Sequence, residues 1–469
     1  MSVVLPAEQA LQTRAPTHTG THAQGVSPPR PPVPATFAQL PQTHGHERLL
    51  FRLAQEAGVE HKVTRLGETN PAAPPLPPPP PPPATRTTSP SNRRRTSILL
   101  SLLALLLLLA AGLSLALLVT HRHKEPTDFL ERAHFYLARS PVIDGHIDLP
   151  EFARAVYGNN IEKFDLRRTL PGHFDIPRAK EGHLGAFFWS IDTFALARTA
   201  DQIEWAIKHG KIASLFGLEG AHMLGNSLGV LRMYHQLGVR YMTLTHSCNN
   251  AFADSAGIFG DVKERWGGLS PLGRELIPEM NRLGIFIDLS HVSDQTALQA
   301  LNLTEAPVIL SHSCARHFNK MNRNVPDNVL DKLGRDKGKV DGVVMVNSFF
   351  PVFASPNPDL VDVAYIADEI EYIANKTSKD HVGIGSDYDG IESVPKGLED
   401  VSKYPYLFAE LIKRGWSKDD LSNLAGGNLL RAMRGMEDVS RRLRDEQGKQ
   451  PSMAKYDKRR DLDGEHWDF

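Results

Sequence analysis

Most of the short apolar runs in this chain end on groups that bind cations or move protons. The first, "VIDGHIDLP" (142–150), closes on His146 and Asp148, one residue apart. Later runs reach Glu219 in "LFGLEG", His246 in "TLTHS", His291 in "IDLSH", His312 in "VILSHS", Asn347 in "VVMVNS" and Asp387 in "GIGSDYDG". Side chains alternate along a strand, so His146 and Asp148 are expected to point the same way, as a two-pronged grip on a cation. Each residue taken singly has an ordinary structural explanation. One H-x-D strand end is more often hydrogen-bonded structure than a ligand pair. Glu219 serves equally as a partner at a helix N-terminus, and His291 and His312 as satisfied histidines. Gathered on one rim, three histidines, an aspartate and a glutamate would repel and desolvate one another unless something cationic sat among them. Imidazole and carboxylate ligands without cysteine suit a catalytic zinc site rather than a closed structural one.

Such a gathering requires a fold that brings distant run ends together. The runs are "PVIDGHID", "GAFFWSID", "KIASLFGLEG", "VRYMTLTHS", "GIFIDLSH", "APVILSHS", "DGVVMVNS" and "HVGIGSDYDG". Amphipathic helical stretches lie between them, among them "TADQIEWAIKHG", "SLGVLRMYHQLG", "PLGRELIPEMNRLG" and "DLVDVAYIADEIEYIANKT". Strands alternating with helices over residues 127–436 predict an α/β fold, a (β/α)8 TIM-type barrel, whose active sites sit at the C-terminal rim of the strands. Gly210, Gly238 and Gly284 stand where helix C-caps are expected. Residues 437–469 form a charged tail that reads as helical at first and then loose, with no apolar terminus to signal a lipid anchor.

The first quarter of the chain has different physics. Residues 1–96 are rich in Pro, Thr, Ala and Ser, and "PPLPPPPPPP" (74–83) favours polyproline II, so the region is expected to be a disordered, cytosolic spacer. Only "HERLLFRLAQEAGVEHKV" (46–63) reads as a short amphipathic helix. Residues 97–119, "SILLSLLALLLLLAAGLSLALLV", carry no charge. As a helix they would span about 34 Å, enough to cross a bilayer core, and they lie too deep for a cleaved signal peptide. Arg93, Arg94 and Arg95 precede them, and Arg122 and Lys124 follow in the juxtamembrane stretch 120–126. The upstream excess favours a type II signal anchor, with the barrel extracellular or in a secretory or vacuolar lumen. Asn302 and Asn375 are glycan acceptor positions on that side.

Composition narrows the remaining classes. The 469 residues hold 53 Lys+Arg against 54 Asp+Glu, a net charge of −1, which gives nucleic acid no global basic footprint. Two cysteines, Cys248 and Cys314, exclude a disulfide-dense scaffold and a cysteine-built zinc finger. One disulfide and two free thiols both remain open.

Over residues 127–436 the chain resembles the membrane dipeptidase (renal dipeptidase) family of zinc peptidases, within the amidohydrolase-like barrels. The resemblance is carried, in order, by "DGHIDLP", "GLEGAH", "GVRYMTLTHSCNN", "GLSPLGRELIPEMNRLGIFIDLSHVS", "APVILSHS", "NRNVPD", "GSDYDG" and "GLEDVSKYP". It implies two zinc ions: one on His146, Asp148 and Glu219, the other on Glu219, His291 and His312, with Glu219 as the bridge. It also implies that His246 binds substrate and stabilises the oxyanion, that Arg323 binds the substrate carboxylate, and that Asp387 transfers the proton. Without the resemblance, Arg323 is an ordinary loop arginine. Asp389 is expected to shape the Asp-Gly turn.

The implied chemistry is dipeptide hydrolysis by a hydroxide bridging the two ions. An oxyanion donor such as His246 is typically worth about 2.7–4 kcal/mol. Expected partners are a dipeptide or other small amide, the membrane through residues 97–119, and as one option a second copy in a homodimer. The alternatives are the same site acting on glutathione-derived conjugates or β-lactams, and an impaired barrel that serves as a receptor surface. This chain departs from the family in carrying an N-terminal helix where the animal enzymes have a C-terminal lipid anchor, and in one connection: only about twenty residues join the second run to the third, residues 192–211, where the family has a longer helical excursion. Phe194 lies near the place of a family cysteine whose partner would match Cys248. A crossover helix still fits the short connection.

Overall fold

Strands that all run in parallel close on one another in this chain. The computed structural model describes residues 100–113, 125–160, 162–188, 194–347 and 349–456. Among them the strands are β1 Val142–Asp144, β2 Leu184–Phe188, β3 Phe194–Leu196, β4 Ile212–Glu219, β5 Val239–Thr243, β6 Phe286–Asp288, β7 Val308–Ser313, β8 Gly342–Val346 and β9 Val382–Ile384. β1 pairs with both β2 and β9, and β2 pairs with β4, so eight strands form a ring in the order β1-β2-β4-β5-β6-β7-β8-β9. This is the expected barrel, with a strand in each of the eight runs. β3 was not expected. It lies outside the ring against the first half of β4, on the side where β5 takes the second half.

The short second crossover closes the ring with one helix. Thr199 caps Ala200–Lys208 by accepting the N–H of Gln202, and Ile203 and Ala206 are fully buried. Trp189–Thr193 lie outside the described residues. Gly238 and Gly284 are helix C-caps with positive φ, and Gly210 follows the cap residue His209. Helix Asn428–Arg441 runs across residue 436 into the charged tail, and Ser440 and Leu443 beyond it are buried. The tail is therefore packed at its start.

Of the apolar segment 97–119, residues 100–113 are described. They are helical and their leucines are exposed. Among the described residues no helix is long and apolar enough to cross a membrane. Residues 1–99, including the Pro-rich region, and residues 114–124 and 457–469 lie outside the described residues.

Most expected strands stop sooner than their apolar runs. β1 ends at Asp144, β6 at Asp288 and β9 at Ile384. Only Glu219 and His312 lie within strands; His146, Asp148, His246, His291, Asn347 and Asp387 sit in the loops just beyond. The backbone explains part of this. His291 has φ 64° and Asp387 φ 62°, left-handed values that no β ladder accommodates. The chain around His146 and Asp148 remains paired through a single bridge, Ile147 to Tyr388.

Alternation along the strands divides the core in two. Ile143, Ala186, Phe188, Ala213, Leu215, Tyr241, Phe286, Ile309, Val343 and Met345 form one cluster, shared with Leu429, Met433 and Met436 of helix Asn428–Arg441. Their neighbours Val142, Phe187, Ile212, Met242, Ile287, Leu310 and Val344 join the other, against the outer helices. Tyr241 is an inward residue whose hydroxyl reaches His146 at the rim, and Gly217 makes room for it. A Cβ on Gly217 would stand 2.3 Å from the Tyr241 ring. Gly217→Ala is expected to destabilise the barrel by about 1–3 kcal/mol through overpacking, read by chemical denaturation. An unchanged midpoint would show that the ring has room to move.

Candidate metal centre

His312 shows how the sequence fixes a ligand's orientation. Its Nδ1 lies 2.8 Å from the Ser311 hydroxyl, which donates its one proton to Asp288 Oδ2 at 2.6 Å. The hydroxyl must therefore accept from Nδ1–H, and His312 Nε2 keeps a bare lone pair. That atom stands 3.2 Å from Glu219 Oε1 and 2.8 Å from His291 Nε2. His291 Nε2 is also 3.2 Å from Glu219 Oε1. The left-handed backbone of His291 costs about 1–2 kcal/mol. Two donors on its carbonyl hold it there, Ala256 N–H at 2.9 Å and Thr245 Oγ1 at 3.0 Å.

His146 approaches from the opposite wall. Tyr241 engages its Nδ1 at 2.7 Å, and Nε2 is buried with no hydrogen-bond partner. Around that orphaned nitrogen lie Asp148 Oδ1 at 3.3 Å, Glu219 Oε1 at 3.7 Å and Asp387 Oδ1 at 3.7 Å. Asp148 occupies the N-cap of helix Leu149–Tyr157, yet its side chain caps nothing and is left for the cleft. Gly390 approaches so closely that a Cβ would lie 2.3 Å from Asp148 Oδ2.

All five expected ligands thus converge. Three overlapping groups have ligand atoms within 4.8 Å of one another: His146, Glu219 and His312; Glu219, His246 and His291; and His146, Asp148 and Asp387. Glu219 is shared, as expected of a bridge. The expected trio Glu219, His291 and His312 is the tightest, with the two Nε2 atoms 2.8 Å apart and each 3.2 Å from Glu219 Oε1; His312 also groups with His146, and His246 and Asp387 stand close by. An orphaned imidazole, a second bare one and converging carboxylates fit hard or borderline divalent cations.

Electrostatics point the same way. Burial opposes ionisation of Glu219, but His146, His291 and His312 hold its pKa well below the usual range. Burial works against a charged His146 too, yet the Tyr241 oxygen and the Asp148 and Glu219 carboxylates keep it well above the ordinary value. Burial, then Arg323, push His291 down to about 3, and burial with His146 depresses His312. Asp387 rises to about 8, through burial and the nearby Asp148 and Glu219. Its N–H donates to the His146 carbonyl at 2.9 Å, and Asn347 Nδ2 donates to its Oδ2 at 3.2 Å.

The expected substrate groups flank this cluster. His246 has a side chain 37% exposed, with its ring 4.7 Å from that of His291. Arg323 is buried, donates to the His312 carbonyl at 2.9 Å and keeps Nε without a partner. It lines a cavity of about 200 Å³ with Ile258, Phe259, Lys320 and Met321. Asp389 shapes its turn as expected, with φ 69° and Oδ1 accepting the His173 N–H at 2.6 Å. Cys248 is an exposed free thiol, and Cys314 is buried.

Sequence reasoning missed the groups behind the ligands. Asp144 accepts the N–H of His146 at 2.9 Å, and Asp288 accepts the N–H groups of Ser290 and Ser311. Both were legible as aspartates two or three residues before a ligand histidine, in "DGH" and "DLSH". Tyr241 carried no signal, since an aromatic residue in a strand reads as core.

The family model for membrane dipeptidases, peptidase family M19, matches residues 130–195 and 191–447. The chain belongs to the membrane dipeptidase family. This makes it a hydrolase of the metallo-dipeptidase type, and the two matched stretches meet in its short β2–β4 connection. It is 40% identical over 351 residues to an uncharacterized dipeptidase of Schizosaccharomyces pombe, covering 66% of this chain and 84% of that protein. It is 41% identical over 367 residues to dipeptidase aclJ of Aspergillus oryzae, covering 69% and 83%. Among solved structures, a probable dipeptidase, PvdM, of Pseudomonas aeruginosa aligns with a TM-score of 0.60 at 23% identity, over 66% of this chain and 99% of that one. A metallopeptidase of Rhodobacter sphaeroides, liganded with a phosphinate mimic of L-Ala-D-Ala, aligns with a TM-score of 0.57 at 24% identity, over 63% and 99%. At these identities the two structures speak for the fold.

Cation uptake by this dipeptidase is expected to release protons. His146 is held well above the ordinary histidine value and Asp387 is raised to about 8, whereas His291 and His312 are pushed below the ordinary value. A cation needs the lone pairs, so affinity is expected to rise with pH up to about 8, with protons released on loading. Calorimetry in buffers of different ionisation enthalpy measures this, and binding heats independent of the buffer would contradict it.

Proposed function

We propose that the chain hydrolyses dipeptides at a centre of two zinc ions that share Glu219. The observation that carries this reading is the position of Glu219 Oε1, 3.2 Å from both His291 Nε2 and His312 Nε2 and 3.7 Å from His146 Nε2. One carboxylate at the crossing of three imidazoles serves two cations where one would leave donors idle. His146, Asp148 and Glu219 would hold one ion, and Glu219, His291 and His312 the other. Bound there, the ions would supply a water acidic enough to attack near neutral pH and would polarise the peptide carbonyl.

The chain's own groups do the rest. Asp387 is buried beside the ligands and raised toward neutral pH, so it can take a proton from the attacking water and return it to the departing amine. Asn347 holds its Oδ2 and fixes the direction of that transfer. His246, half open to the cleft, offers a donor to the carbonyl oxygen as charge develops there. Arg323 has a buried, unpartnered Nε at the edge of a small cavity, which suits a substrate carboxylate and favours short peptides. The uncharged stretch 97–119 would tether this barrel to a membrane as a type II anchor.

The full chain in detergent, assayed for metal content and for turnover of a dipeptide panel with and without chelator, tests the reading. About two zinc ions and chelator-sensitive cleavage are expected. Metal without dipeptide cleavage would shift the substrate to other small amides, and a metal-free inert chain would leave a binding protein. Glu219→Gln is expected to lose most bound metal and activity together. Asp387→Asn should keep its metal and lose roughly 10²–10⁴-fold in kcat. Normal turnover by that variant would remove Asp387 from the proton path.

A further inference from the structure

Asp148 and Glu151 stand three residues apart at the start of helix Leu149–Tyr157, the spacing of a capping box. In such a box the first side chain caps the helix and the glutamate returns to the N-cap N–H. Here neither half forms. The Asp148 side chain makes no capping bond, and the Asp148 N–H donates instead to the Tyr388 carbonyl at 2.8 Å. Glu151 is exposed and has no hydrogen bond or ion pair among the described residues. It stands one helical turn from Asp148, whose side chain turns into the cleft, so the two lie on neighbouring positions of the same helix face. Partial burial and then the Asp148 and Glu219 carboxylates raise its pKa, while His246 and Arg154 lower it.

Cations at the centre would offset Asp148 and Glu219, which are ligands. Glu151 belongs to none of the ligand groups, so its charge would remain uncompensated. A dipeptide with its carbonyl at the ions and its carboxylate on Arg323 has one backbone charge left, the ammonium on the other side of the scissile bond. We infer that Glu151 receives the α-ammonium group of the substrate and so selects peptides with a free N-terminus. This rests on the dipeptidase reading above and adds the residue that reads the second end of the substrate. Glu151 and Arg323 then form a pair of opposite charges that a zwitterion of two residues bridges. The ordinary role of Glu151, an acid in the first helical turn, concerns helix stability only.

The test compares the full-length wild type with Glu151→Gln and Glu151→Asp, using L-Ala-L-Ala as substrate and propionyl-L-alanine, which lacks the ammonium, as a competing ligand. Glu151→Gln is expected to raise KM for the dipeptide about tenfold, the scale of one lost charged hydrogen bond, with kcat little changed. Competition by propionyl-L-alanine should be unaltered, and Glu151→Asp should fall between. An unchanged KM, or a rise in KM matched by equal weakening of propionyl-L-alanine, overturns the inference. So does a lower melting temperature without a change in the ratio of the two constants, the mark of a helix-only role. A loss confined to dipeptides with a lysine first residue would also overturn it, because Glu151 would then read a side chain. Failure of the wild type to cleave any dipeptide would fell the underlying reading instead, and is distinguished by that control.

Discussion

Two buried carboxylates outside the candidate ligand groups hold the rim together. Asp144 accepts the N–H groups of His146 and Ser386 and the hydroxyl of Tyr404, joining the ends of β1 and β9 to helix Tyr404–Lys413. Asp288 accepts from Thr243, Ser290 and Ser311, joining the ends of β5, β6 and β7. Both are fully buried. A carboxylate in that setting is tolerable only when donors fill it from several directions. Burial raises the Asp144 pKa even against its donors, so its demand for them is strong. That demand brings neighbouring strand ends to a common height, and His146, His291 and His312 are carried into register with them.

The cluster so assembled is poorly matched to itself. Imidazoles meet at 2.8 Å, His146 Nε2 is buried without a partner, and three carboxylates, Asp148, Glu219 and Asp387, crowd the same space. Interiors seldom keep such an arrangement without a charge to complete it. The groups around it supply direction: Tyr241, Ser311 and Asn347 each meet His146, His312 or Asp387 with one hydrogen bond. An unmatched centre oriented from behind is the pattern expected of a built cation site.

The strands and the residues that gather at the rim were legible in the sequence for the same reason. Apolar runs that end in His, Asp or Glu mark both where a strand lies and where it meets the rim. The extent of the strands was not legible, because polar ends such as His291 and Asp387 take left-handed backbone that hydrophobic pattern does not record. β3 escaped notice because "FAL" is too short to register as a run. Closure over the short second connection followed from one helix of ordinary propensity, Ala200–Lys208. The grouping of His312 with His146 lay beyond reach, since it depends on how two rings stack across the barrel, 4.1 Å between centroids.

The backbone at His291 also sets how this rim can change over time. A left-handed position favours glycine, asparagine, aspartate and histidine, and resists branched or bulky side chains. Glu219 and His312 sit within strands and outside the left-handed region, so their backbone does not restrict the side chain in this way. Drift toward a different metal preference would therefore start at those two strand positions, while His291 stays fixed by geometry as much as by chemistry.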